Sequence, residues 1–271
     1  MPGSSGRSMA WDRWCTLSAV SSLLFVIRAP AVVLVTLITG LFLLIAAPIT
    51  LFWTRPRIVC RRWAMAMWGR SVLWVCGERL EIVGQVPRSP YFLVCNHVST
   101  ADIFVLAAAT GGRFVGKAEL GSWPLVGWVI SGIGTILIDR SRRTAVGEVN
   151  KVISAAMANG ENVLLFLEGG ICPGDRLHPF QPSLLQPAVS LERPVHYALI
   201  HYTSPAGAAP PTETLTWPSD RSALRHFRGL FGLWRCHARL TIAEQPIWAP
   251  NRKQLAEDLR EVMEPLFEPL A

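Results

Sequence analysis

Lysine is nearly absent from this chain of 271 residues. Of 26 basic residues only Lys117, Lys151 and Lys253 are lysine, and the rest are arginine. Acidic residues are also few, 19 in all, which leaves a net charge of +7. Charged residues make up only 17% of the sequence and mean hydropathy is +0.32, which excludes a disordered chain and an ordinary soluble protein. No glycine period or heptad array is present, which excludes collagen-like and coiled-coil architectures. The six cysteines (15, 60, 76, 95, 172 and 236) form no CxxC and no paired spacing, which argues against a disulfide or zinc framework and for a reducing compartment. No GxSxG elbow is present to supply a serine nucleophile. A basic balance points to nucleic acid, anionic lipid or anionic substrates. Eleven tryptophans among abundant aliphatic residues tilt that choice towards membrane.

Ala29 to Thr54 is a run of 26 residues without a charge, bounded by Arg28 and Arg55. It is long enough to cross a hydrocarbon core of about 30 Å. A shorter apolar stretch, Cys15 to Ile27, precedes it, and the two could instead form a hairpin that enters and leaves on one side. The length and position fit a membrane anchor better than a cleaved signal peptide. Arg55, Arg57, Arg61, Arg62, Arg70 and Arg79 follow, interleaved with Trp63, Trp68 and Trp74, the composition of a helix at the lipid surface. Trp63 and Arg70 fall on one side of that helix, so its faces do not separate cleanly. Six arginines here against Arg7, Arg13 and Arg28 before the run place the following domain in the cytoplasm. The expected organisation is a tail, anchor and interfacial helix over 1–79 and a folded domain over 80–271.

In the folded part, short apolar runs alternate with helical patterns. Strands are expected at 80–86, 91–95, 113–116, 135–138, 163–167, 195–200 and 238–243. Helices are expected at 101–109, 124–131, 142–158, 183–191 and 255–267, and 203–220 reads as a surface loop. Strands separated by helices give an α/β fold, an open and mostly parallel sheet flanked by helices. In such sheets chemistry gathers beyond the carboxyl ends of the strands.

Asn96-His97-Val98-Ser99-Thr100-Ala101-Asp102 stands at one of those ends. On a continuous helix His97 and Asp102 would diverge by about 140°. Across a strand-to-helix turn they can meet, the carboxylate fixing the imidazole tautomer and raising its basicity. That is a general base with its orienting acid. The bland alternative is a turn histidine beside a helix-capping carboxylate. Three further strand ends present Lys117, Asp139-Arg140 and Glu168-Gly169-Gly170, so four ends offer His, Lys, Arg and Glu at one edge.

These residues resemble the 1-acylglycerol-3-phosphate (lysophospholipid) acyltransferase family. Its first motif, N-H-x-S-x-x-D, matches Asn96 to Asp102. Its second is similar to Gly134-Thr-Ile-Leu-Ile-Asp-Arg140, and its third, F-P-E-G-T-R, is met in part by Phe166-Leu167-Glu168-Gly169-Gly170-Ile171. Its fourth is similar to Arg193-Pro194-Val195-His196-Tyr197-Ala198 but lacks the second proline. The resemblance implies acyl transfer from acyl-CoA or acyl-carrier protein to the hydroxyl of a lysophospholipid, giving phosphatidic acid from 1-acylglycerol-3-phosphate. His97 would deprotonate the acceptor, Asp102 would orient it, and Arg140, Glu168 and Gly169 would bind the acceptor's phosphate end, with no metal or cofactor. The third-motif arginine is Ile171 here, and the following loop, Cys172 to Phe180, looks like that of members using ornithine lipid or other acceptors. Arg176 or Lys117 would then supply the lost charge.

Other readings stay open. Cys95 or Cys172 could be an acyl-accepting nucleophile. The chain could also be a catalytically inactive lipid-binding protein at the membrane surface. Nucleic acid is not an expected partner, because the arginines cluster with tryptophan beside the apolar run.

Overall fold

The computed structural model describes residues 5–122, 127, 130, 132–138, 145–205, 208–217 and 222–270, without the side chains of 5–18, 117, 120, 145 and 146. Its described strands are β1 (Glu78–Val83), β2 (Phe92–Cys95), β3 (Arg113–Lys117), β4 (Ile136–Ile138), β5 (Val163–Phe166), β6 (Val195–Thr203) and β7 (Cys236–Ile242). They form one sheet in the order β1-β7-β6-β2-β5-β3-β4. From β6 through β2, β5 and β3 to β4 every pair is parallel. The sheet is mixed only at its other end, where β7 runs antiparallel to β6 and parallel to β1.

The central strands explain the continuous apolar runs. Phe92 and Val94 of β2, with Val163 and Leu165 of β5, enter one core, while Leu93, Cys95, Leu164 and Phe166 enter the other. Alternate side chains point to opposite faces, so a strand covered on both faces must be apolar at every position. β7 instead alternates buried and half-exposed residues, as a strand with one covered face should.

Helices cover both faces. One is packed by α1 (Ser5–Phe52), α2 (Thr54–Cys76), α3 (Ala101–Thr110) and, further along the chain, α7 (Ala223–Gly232). The other is packed by α4 (Ala145–Ala158), the short α5 (Gln186–Ser190) and α8 (Arg252–Met263), with α6 (Pro211–Thr214) lying in a connection. α2 and α3 cross closely at Gly69, where an added Cβ would stand 2.5 Å from the Ala108 backbone nitrogen.

Several expectations change. The two N-terminal apolar stretches are one continuous helix, α1, which folds back on α2 at Trp53. Arg28, which precedes the long apolar run, is hydrogen-bonded to the folded part of the chain. Its guanidinium donates to the carbonyls of Phe231, Leu233 and Trp234 at the end of α7. Expected helix 183–191 divides into a 3-10 turn, Pro182–Leu185, and α5. Helix α7, unread in the sequence, occupies part of the chain after the 203–220 segment. That segment is not simply a surface loop, since Pro211, Leu215 and Thr216 are buried. Most of expected helix 124–131 lies outside the described residues.

Arg70, which blurred the faces of α2, turns its Nε back to the Ala108 carbonyl at 3.2 Å. The outer stripe of α2 is then Val59, Trp63, Met67 and Trp74, all exposed and within about 80° of one another around the helix.

Candidate active site

The site is built where β2 ends. Asn96 closes the strand by replacing a rung of the ladder: its Oδ1 accepts from Ile200 N at 2.8 Å and its Nδ2 donates to Ile200 O at 3.0 Å. The chain then turns through His97 and Val98 into α3. The N-cap position of α3 is Thr100, so Ser99 lies one residue outside the helix. The Ser99 hydroxyl donates to Leu215 O at 2.8 Å and accepts from Ala101 N at 3.1 Å, tying the 203–220 segment over the turn.

Asp102 is fully buried in the first turn of α3. Its Oδ2 meets His97 Nδ1 at 2.8 Å and accepts from the backbone N–H groups of Val98 and Ser99 at 2.8 and 2.9 Å. Its Oδ1 accepts from the Tyr202 hydroxyl at 2.7 Å. The contact expected across the turn and the capping contact therefore both fall on one carboxylate. Four donors surround it and take the place of water around the buried carboxylate. The His97 ring lies flat on Phe166, with centroids 3.9 Å apart, which fixes its plane. With Nδ1 facing Asp102, Nε2 is the nitrogen left for a substrate, and it has no partner among the described residues.

Glu168 follows β5, the neighbour of β2. Its Oε2 accepts from His97 N at 2.6 Å and its Oε1 from His178 N at 2.9 Å. Burial raises its pKa, and these two N–H groups oppose the rise. The carboxylate thus clamps the histidine turn to the loop after β5. Cys172 N adds a bond of 2.7 Å to His97 O from the same loop. Gly169 has φ +79°, left-handed backbone that glycine adopts without strain, which lets the chain turn sharply behind Glu168.

The other expected site residues are not gathered in the same way. Lys117 ends β3 at the same sheet edge, with its side chain outside the description. Arg140 lies outside the described residues. Arg176 is exposed on the loop and makes no ion pair among the described residues. The thiols are poor nucleophile candidates. Burial pushes Cys95 well above the ordinary thiol range and Cys172 up to about 12. Among the described residues no group of three or more His, Cys, Asp or Glu side chains is placed to hold a metal.

Three participants were not read from the sequence. Tyr202, near the end of β6 and a hundred residues from Asp102, carried no motif that could have found it. His226 of α7 is wholly buried, stacks on Trp217 at 4.4 Å and meets the Thr100 hydroxyl at 2.9 Å. Glu78, first residue of β1, is buried, and neither carboxyl oxygen has a hydrogen-bond partner among the described residues. Burial, then the nearby charge of Asp102, pushes its pKa up to about 8. Near neutral pH Glu78 therefore holds its proton and adds little negative charge beside Asp102.

Residues 79–200 match the family model described as Acyltransferase. A 1-acyl-sn-glycerol-3-phosphate acyltransferase of Neisseria meningitidis is 31% identical over 141 residues, covering 51% of this chain and 55% of that protein. A lyso-ornithine lipid O-acyltransferase of Rhizobium meliloti is 34% identical over 131 residues, covering 48% and 45% respectively. The chain spans about half the length of these curated relatives. Among solved structures, the 1-acyl-sn-glycerophosphate (LPA) acyltransferase PlsC of Thermotoga maritima shares the fold, with a TM-score of 0.55 at 21% identity. That likeness covers 86% of this chain and 92% of the other.

Glu78 makes stability depend on pH in a defined direction. Its folded pKa of about 8 lies above the ordinary carboxyl value of 4.5, so between these limits the folded state holds a proton that the unfolded state releases. Stability should fall as pH rises through that window. Glu78→Gln, uncharged and of similar shape, should melt like the parent near about pH 5 and above it near about pH 9, by the equivalent of a few kcal/mol. Equal melting temperatures at both pH values would show that Glu78 ionises freely.

Proposed function

We propose that the acyltransferase domain over residues 79–200 moves an acyl group from a thioester, acyl-CoA or acyl-carrier protein, to the free hydroxyl of a lysophospholipid at a membrane surface. The acceptor we assign is 1-acylglycerol-3-phosphate, with phosphatidic acid as product. The observation that carries this reading is the 2.8 Å contact of His97 Nδ1 with the buried Asp102 at the carboxyl edge of the sheet, which leaves Nε2 outside that pair.

In the proposed reaction Nε2 removes the proton of the acceptor hydroxyl as its oxygen attacks the thioester carbonyl. The tetrahedral intermediate collapses, the C–S bond breaks, and the departing thiolate takes the proton back from the imidazolium. Asp102 stays ionised and stabilises that imidazolium. Tyr202 and the N–H groups of Val98 and Ser99 hold Asp102 in place. Glu168 acts through the backbone of His97 as a positioning residue, with both oxygens already engaged. The thiolate is itself a competent leaving group, so neither metal nor cofactor enters these steps. Lys117, Arg140 and Arg176 are the cations proposed for the acceptor phosphate.

Ile171 favours a second acceptor class. It stands where the family's third motif carries arginine, a phosphate ligand, and a lyso-ornithine lipid carries no phosphate to be held.

The membrane reading is likewise a proposal in its detail. Ala19–Phe52 is long and apolar enough to cross a bilayer by length and composition. Yet Val32 is buried in the domain's core, Phe25, Ala29, Val35 and Leu43 pack against it, and Thr36 accepts a hydrogen bond from Trp68 Nε1 at 3.0 Å. Packing of the helix sideways against the folded domain from Phe25 to Leu43 supports embedding over crossing. We assign α1 and α2 to a single leaflet, with the stripe Val59, Trp63, Met67 and Trp74 and the outer face of α1 in lipid and the catalytic edge on the cytoplasmic side.

Two experiments test these assignments. His97→Ala should lower acyl transfer about 10²–10⁴-fold without loss of expression, and Tyr202→Phe about tenfold in turnover with little change in KM, measured by thiol release against a panel of lysolipids. Lysophosphatidate should lead the panel, and Ile171→Arg should extend its lead over lyso-ornithine lipid. His97→Ala with more than a tenth of parental turnover would overturn the mechanism, and lyso-ornithine lipid in first place would overturn the acceptor. For topology, Ser8→Cys in a chain otherwise freed of cysteine should react with an impermeant maleimide only from the cytoplasmic side. Labelling from the opposite side would mean that α1 crosses.

A further inference from the structure

Away from the catalytic edge, where α1 and α2 separate near their tip, lies a cavity of about 270 Å³. Its apolar wall is Leu43, Leu44, Ala47 and Leu51 of α1, and Arg57 and Arg61 of α2 stand at its head. Arg57 Nε is buried and meets no hydrogen-bond acceptor among the described residues. Arg61 makes no ion pair there either. Its Nη1 lies 3.1 Å from the point a Cβ on Gly134 would occupy, and Arg113 Nε lies 3.3 Å from the same point. Two guanidiniums therefore flank one glycine. The carboxylate beside them, Glu161, is already bound to Arg113 Nη1 at 3.0 Å. Burial, then Arg113, lowers the pKa of Arg61, as an incompletely neutralised cationic cluster requires.

Among the described residues, three guanidiniums gathered near one carboxylate leave room for an anion. The aliphatic wall beneath them would be wasted on a free phosphate or a nucleotide, but suits a hydrocarbon chain. The place is also wrong for the acceptor of the reaction. Arg113 begins β3 and Gly134 precedes β4, so the cluster sits at the amino ends of the strands, whereas His97 and Glu168 sit at the carboxyl ends.

We propose that this cleft holds one anionic phospholipid of the bilayer, its phosphate on Arg57 and Arg61 and an acyl chain along Leu43, Ala47 and Leu51. Guanidinium forks match phosphate oxygens in geometry and charge. The lipid joins the end of α1 to the start of α2 and fastens both to the β3–β4 side of the domain. It is a resident lipid rather than a substrate.

The test is native mass spectrometry of the full chain in detergent, offered phosphatidylglycerol or phosphatidylcholine. One phosphatidylglycerol per chain should be retained, and phosphatidylcholine should not. The double substitution Arg57→Gln with Arg61→Gln should weaken retention about ten- to a hundredfold. Ala47→Trp, which fills the chain groove and keeps both charges, should weaken it to a similar degree. Arg55→Gln, exposed and outside the cleft, should leave it unchanged. Retention that survives Ala47→Trp, or that falls as far with Arg55→Gln, overturns the site in favour of general surface attraction. Should the double variant fail to fold, Ala47→Trp against Arg55→Gln decides alone.

Discussion

The arrangement around His97 depends on burying one carboxylate. Asp102 has no exposure to water, and an ionised carboxylate in that position would cost several kcal/mol without compensation. Its four donors come from three structural commitments. Two are backbone N–H groups exposed by the start of α3, one is the imidazole on the turn, and one is a phenol delivered by β6. The carboxylate therefore reports on whether β2, α3 and β6 are all in place. Glu78 adds to this balance by keeping its proton, since a second charge beside Asp102 would be repelled in a poorly screening interior.

A second carboxylate holds the other side of the turn. Glu168 spends both oxygens on backbone N–H groups, one of His97 and one of His178. The loop after β5, which differs from the resembled family at Gly170 and Ile171, is thereby bonded directly to the histidine it borders. Under the proposed function, changes of sequence in that loop alter the acceptor's surroundings while Glu168 and Cys172 N keep the histidine in register. On that proposal specificity and chemistry are separable: the chemistry rests on β2 and α3, the acceptor surroundings on the loop.

The N-terminal apolar helix and the sheet are likewise packed as one object. α1 gives one face to the core through Val32 and its neighbours and the opposite face, including Leu34, Ile38 and Ile45, to the outside. Arg28 shows how a charge that bounds an apolar run can be taken up by the fold. Its charge is spent on carbonyls left open at the end of α7, where the helix dipole also favours a cation. The apparent bounds of a hydrophobic run are thus set partly by tertiary hydrogen bonds.

Much of this was legible from the chain alone, for local reasons. Continuous apolar runs at β2 and β5 announced strands covered on both faces, and Asn96 to Asp102 announced a histidine on a turn with a carboxylate one helical turn further on. Those signals lie within a few residues, where steric rules and hydrogen bonding fix the geometry. Tyr202, Glu78 and the 203–220 segment were different. A tyrosine a hundred residues away, a glutamate opening an edge strand and a proline-rich stretch carry no local mark of what they touch. Only the sheet order, with β6 beside β2 and β1 turned back through β7, brings them to Asp102 and Ser99. The sequence by itself determined the alternation of elements and the chemistry of the histidine turn, because both follow from short-range patterning. The tertiary structure alone decided which buried groups surround that turn, because long-range pairing has no period that a linear reading can detect.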